Sequence, residues 1–174
     1  VADSLNNLAG ALTPQGKSKE AEALRREALA IQKNLFGDEN AKFARTLRDL
    51  GIDLAGQGNF KEAEALCTQA LAIRQKLFGR ESPEAADSLN DLGGIQKQNG
   101  NAVEAEKLYR AALAIQEKHA GRDSAAVVQL LNSLAVLMRD QGKAAEAEAL
   151  FRQALAVQQK LHGPDHFQVA DSLG

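Results

Sequence analysis

At residues 62–73 the chain reads E-A-E-A-L-C-T-Q-A-L-A-I, and nearly the same string starts again at Glu20, Glu104 and Glu146. The interval is 42 residues each time, with no insertion between copies. A fixed period of this length signals a stack of small structural units, each unable to bury its apolar face alone and each covered by its neighbours. The expected units are 1–40, 41–82, 83–124 and 125–166, with the start of a fifth at 167–174.

The quoted string lies on the second helix of the unit, helix B, expected from about Ser18, Phe60, Ala102 and Ala144. On it Ala63, Leu66, Ala70, Ile73 and Leu77 form one stripe, and Phe60, Cys67, Leu71 and Phe78 form another beside it. A helix apolar over two adjacent stripes must be covered from two sides. The cover is a preceding helix A, whose copies are counted from Ala2, Ala44, Ala86, Val128 and, incompletely, Ala170. Leu47, Leu50, Gly51 and Leu54 share one face of its second copy; Leu89 with Leu92, and Leu131 with Leu134, keep the same places. Gly16, Gly58, Gly100 and Gly142 close helix A as left-handed C′ residues, and helix B ends before Gly37, Gly79, Gly121 and Gly163.

Ser82-Pro83-Glu84 reads as a helix start, with Ser as N-cap and Pro at the first helical position. Asp38 or Asn40, Asp123 or Ser124, and Asp165 or His166 stand in the corresponding loops. Thr13-Pro14 predicts that the first helix A stops or kinks about a turn early. Small residues Ala9, Gly51, Gly93 and Ala135 on helix A are matched twelve residues on by Ala21, Ala63, Ala105 and Ala147 on helix B. That pairing predicts a close helix crossing in every unit.

Composition excludes several activities. A net charge of −2 and a pI near 6.0, without a run of five basic residues, give no footprint for nucleic acid. No apolar run approaches the roughly 18 residues of a membrane span. The single cysteine excludes an internal disulfide and suits a reducing compartment, so a cytoplasmic setting is expected. Cys67 sits in an apolar stripe and reads as core. His162 and His166 are separated by the helix-breaking Gly163-Pro164, which argues against a metal site. Glu62 and Glu64 do not face each other on a helix, and no phosphate-cradling or dinucleotide glycine motif occurs. No cofactor, no metal and no catalytic residue is expected, and the chain is not expected to be an enzyme.

Leu47-x2-Leu50-Gly51-x2-Leu54, followed by Ala63-x3-Cys67 and Ala70, resembles the tetratricopeptide repeat. With its 42-residue period and the strings S-L-N-N-L, E-A-E-A-L and A-L-A-I-Q, the chain is similar to the repeats of kinesin light chain. The resemblance implies an all-α fold, an α-solenoid of stacked antiparallel helix-turn-helix units wound into a right-handed superhelix, and a protein-binding activity. The chain departs from the pattern in being poor in aromatics. Leu12, Leu54, Gln96 and Met138 stand where helix A usually carries one, and Arg25 and Cys67 stand where Tyr109 and Phe151 retain one on helix B.

In such a stack helix A lines the concave wall. Its face opposite the leucines is the candidate site: Asn6 in the first unit, Arg45, Arg48 and Ile52 in the second, Asn90 and Lys97 in the third, and Asn132, Val136 and Arg139 in the fourth. An Asn amide offers a donor and an acceptor, so it can hold an extended peptide backbone without reading side chains, a use that tetratricopeptide asparagines imply here. Arg45 and Arg48 could favour an acidic group, as the acidic cargo motifs of kinesin light chains imply. Against this stands the simpler reading of polar residues on a wet face. The expected function is a scaffold binding an extended peptide or protein segment; the alternative is a passive spacer or assembly module of a larger protein. Exposed terminal leucines (Leu5, Leu8, Leu173) suggest end-to-end self-association.

Overall fold

The computed structural model describes residues 1–162, which form eight α-helices and no strand. They are α1 (Ala2–Leu12), α2 (Ser18–Phe36), α3 (Ala41–Gly56), α4 (Phe60–Phe78), α5 (Pro83–Gln98), α6 (Ala102–Ala120), α7 (Ala125–Asp140) and α8 (Ala144–His162). Odd-numbered helices are the A helices. Each packs on the B helix that follows it, and each B helix packs on the next A helix. Successive A helices also meet, α3 with α5 and α5 with α7, more closely than successive B helices do. That asymmetry curves the stack and puts the A helices on its inner wall: the fold is an α-solenoid.

Local chemistry sets the helix ends. Asn40, Ser82 and Ser124 cap α3, α5 and α7, their side chains accepting from the N–H of Phe43 (3.0 Å), Ala85 (3.1 Å) and Val127 (3.3 Å). These caps start the A helices three residues before the positions from which the sequence pattern counts them, because the capping residue and not the first leucine ends the loop. Asp165 and His166 lie outside the described residues. At the other end, Gly58 turns with φ 82° while the Asn59 N–H reaches back to the Leu54 carbonyl at 2.9 Å. The same closure recurs from Asn101 to Gln96 and from Lys143 to Met138, so one left-handed glycine reverses the chain within three residues. Pro14 shortens α1: it ends at Leu12, and Thr13–Gln15 tighten into a 3-10 turn.

The core consists of the small pairs and the leucine face. Ala21, Ala63 and Ala105 are fully buried and Ala147 nearly so. Each sits where helix A approaches. A Cβ on Gly51 would stand 3.0 Å from the Ala63 carbonyl oxygen. Leu50, Leu54, Leu131, Leu137 and Met138 fill the layers between helices. Cys67 is buried in this packing, and burial pushes its thiol up to about 12. One expectation fails at the end of helix B: Leu77 and Phe78 are nearly half exposed, and Leu35 and Phe36 about two-thirds. The last turn of the B helix overshoots the layer that covers it, so both stripes stop at Ile73 and Leu71.

Candidate functional site

The concave wall is built from α3, α5 and α7, and its polar column is not free. The Asn6 amide donates to Asp49 (3.1 Å), Arg48 clamps Asp91 with two nitrogens, one at 3.1 Å, and the Ser133 hydroxyl donates to the Asn90 carbonyl oxygen (3.4 Å). Each bond joins positions 43 residues apart, from one A helix to the next. The residues expected to hold a ligand thus also tie the repeats together.

At the first boundary this use is complete. Asn6 is buried, and its carbonyl oxygen accepts from Arg25 Nε at 3.3 Å. Arg25 itself lies against Asp53 in an ion pair whose side chains are 7% and 3% exposed, and the Thr13 hydroxyl donates to the other Asp53 oxygen at 3.1 Å. Burial lowers the Arg25 pKa, and the nearby Asp49 carboxylate acts against that shift. The signal for this network in the sequence is a pair of departures from the repeat. Arg25 and Asp53 are charged where other units have Cys67, Tyr109, Ile95 and Leu137, and the two departures fall at one boundary.

The other charges are also paired. Asp91 raises the Arg48 pKa by hydrogen bonding, and Asp49 adds a contact at 3.6 Å. Lys97 meets Asp140 at 3.0 Å and holds that carboxyl below its usual range. Arg45 is exposed, with Asp49 at 3.9 Å. Arg139 is not brought to the wall's hollows: it borders a separate depression with Ala144, Ala147, Phe151 and Leu155.

Two hollows remain on the wall. One, of about 200 Å³, lies between α3, α5 and α7 and includes Ile52, Asn90 and Gly94. A larger one, of about 550 Å³, lies along α7 and reaches α8 at the end of the described stack; it includes Lys97, Asn132, Val136, Gln158 and Leu161. Tyr109 and Ser133 border both. The Asn132 side chain makes no hydrogen bond to another described residue. A third depression, about 240 Å³, holds Asn6 and Arg45 beside Asp3 and Lys42. Among the described residues no cluster of three or more His, Cys, Asp or Glu could hold a metal, and no helix is long and apolar enough to cross a membrane. Of the leucines expected to pair end to end, Leu8 is half exposed and Leu173 lies outside the described residues.

A curved stack of helix pairs with a polar inner wall defines a helical-repeat scaffold. Models of the tetratricopeptide repeat match residues 1–66, 42–118 and 127–168, and the chain belongs to that family. Tetratricopeptide repeats are protein-interaction scaffolds. Among solved structures, BtubC (BKLC) from P. vanneervenii superposes with a TM-score of 0.82 at 24% identity over 93% of this chain and 65% of that one. The chain therefore spans about two-thirds of that protein's length. The nearly identical TPR-like repeats from Podosopora anserina, ascribed to a kinesin light chain, superpose with TM-scores of 0.77 and 0.75 in two structures. Their identities are 28% and 27%, over 92% of this chain and 76% of those. Among curated proteins the chain has no match.

Proposed function

We propose that the chain binds an extended segment of a partner protein along the concave wall, at the smaller hollow between α3, α5 and α7 and the larger one that runs from α5 along α7 to α8. The observation that carries this is the Asn132 amide, which lines the larger hollow with no bond to a described residue, beside Val136 and one repeat on from the half-engaged Asn90. A strand-like segment needs such groups, since its backbone donors and acceptors are not paired within itself. Rigid helix pairs hold these groups in place before the partner arrives, so the ordering cost falls on the partner alone.

The partner is more neutral than the arginines suggest. Arg48 is committed to Asp91 and Asp49, and Lys97 to Asp140, so an incoming carboxylate would have to displace one that is already bonded. A second reading, a structural spacer, is favoured by one observation: Asn6 and Arg48 serve as joints between repeats.

A random peptide library displayed against the wild type and against the Asn90→Ala, Asn132→Ala double variant separates the two readings, once matching melts establish that both are folded. Peptides that enrich on the wild type and are lost on the variant support the groove. A library that enriches nothing, or enriches equally on both, leaves the spacer as the function.

A further inference from the structure

Tyr109 keeps the aromatic of its position and, unlike its counterparts Arg25, Cys67 and Phe151, carries a hydroxyl. It belongs to α6, a B helix on the outer layer, yet it borders both hollows of the inner wall. Its ring gets there by crossing α5 at Gly93, where a Cβ would stand 2.7 Å from two ring carbons. Beyond the ring, the hydroxyl arrives beside Gly94, whose Cβ would be 3.8 Å from the oxygen. Two adjacent glycines therefore form a window, the first cleared for the ring and the second leaving the hydroxyl uncovered.

The residue is only 4% exposed. Its hydroxyl makes no hydrogen bond among the described residues, and it is not one of the sealed side-chain atoms that lack a partner. A tyrosine buried to this degree normally finds a partner for its O–H. Here the oxygen keeps its access on the side of the hollows. The groups around it make it the wall's available donor at this point. The single Ser133 hydrogen is taken by the Gln129 carbonyl or by Asn90, and Asp91 is held by Arg48. A phenol is protonated at neutral pH at its ordinary value, and burial and the nearby Asp91 carboxylate push it further up.

Resting on the groove reading above, we infer that the Tyr109 hydroxyl is a specificity-determining anchor that donates to a backbone carbonyl of an uncharged, extended partner segment. In such a segment side chains two residues apart point the same way, with carbonyls between them. The hydroxyl lies on the border of two hollows, so it meets the carbonyl while the flanking side chains enter on either side. Ile52 in the smaller hollow and Val136 in the larger stand among uncharged polar groups, Asn90, Gln98, Asn132 and Ser133, which suits small, uncharged side chains. A charged side chain in the smaller hollow would disturb the Arg48–Asp91 clamp.

The test is display selection of a random peptide library on the wild type, followed by affinity measurement of the enriched peptides on Tyr109→Phe and Gly94→Ala. Tyr109→Phe keeps the ring over Gly93 and should melt with the wild type while binding about 3- to 10-fold more weakly, the loss of one neutral hydrogen bond. Gly94→Ala narrows the window without touching the ring; it should melt no lower than the wild type and also bind more weakly. Equal affinity for Tyr109→Phe overturns the anchor, and if the same peptides are still lost on the Asn90→Ala, Asn132→Ala variant the groove itself stands. Enriched peptides that are uniformly acidic also overturn the inference. A wild type that enriches nothing overturns both anchor and groove.

Discussion

The boundary between the first two helix pairs and the boundary between the last two occupy the same place in the 42-residue frame but are made of different matter. At the first, Arg25 faces Asp53, with Thr13 and Asn6 completing a polar network. At the last, the corresponding residues are Tyr109 and Leu137, in one apolar cluster with Leu130, Leu134 and Met138. Between them, Cys67 and Ile95 make a small apolar contact. The backbone geometry is shared, so what differs is how strictly each joint selects its partner. A buried ion pair tolerates one geometry and one partner, whereas apolar layers accept any surface of suitable shape. In a linear array stability is a sum of unit and neighbour terms, so the difference should appear as a difference in where the stack opens.

The largest effect is expected at the polar joint. Asp53→Ala leaves the Arg25 guanidinium buried without its partner and should cost about 3–5 kcal/mol. Because the loss is confined to one interface, a denaturant melt should broaden or split as α1 and α2 undock before the rest. Transplanting the other joint sharpens the comparison: Arg25→Tyr with Asp53→Leu, plus Ala9→Gly to clear the ring as Gly93 does for Tyr109, should recover the wild-type midpoint or exceed it. An Asp53→Ala protein that melts with the wild type would show that the pair adds nothing to docking.

Smaller and opposite effects are expected at two neighbouring glycines of α5 that face Tyr109. Gly93→Ala drives a methyl to within 2.7 Å of the Tyr109 ring and should cost about 1–3 kcal/mol. Gly94→Ala meets nothing closer than 3.8 Å and should gain about 0.5–1 kcal/mol from reduced freedom of the unfolded chain. Ala105→Leu, at a fully buried crossing of α5 and α6, belongs with the first group at about 1–3 kcal/mol. Thermal melts of the three variants side by side decide this, and equal signs for Gly93→Ala and Gly94→Ala would refute the window described for Tyr109.

The contrast also explains what could be read from the sequence. Helices, caps and turns are local: Ser82-Pro83, the glycines after helix A and the small pair Gly93 and Ala105 state their roles within a dozen residues. The joints are not local. Asn6 and Asp49, or Arg48 and Asp91, are a full repeat apart and meet only once the helices are stacked. Reading the wall one helix at a time therefore made Asn6 and Arg48 look available. Reading down the columns would have shown Asp49, Asp91 and Ser133 as short polar residues beside that column. The reach of Tyr109 through two glycines was hidden for the same reason, since it depends on a crossing and not on a pattern along one helix.

The smallest effect is expected at the most regular feature of the surface. Lys76 pairs with Glu39, Lys118 with Glu81 and Lys160 with Asp123, each joining the last turn of a B helix to the loop before the A helix of the same pair. The recurrence follows from hairpin geometry, which returns the end of helix B to the start of helix A. Lys118 and Glu81 are both about two-thirds exposed, and the bond holds the Glu81 carboxyl below its usual range. Water and salt screen such pairs, and ordering two long side chains offsets much of the attraction. Lys118→Ala should therefore shift the melting midpoint less than any buried substitution above, and the shift should vanish in high salt. A loss matching that of Gly93→Ala and persisting in salt would mean that the outer ladder, and not the inner joints, sets the rigidity of the stack.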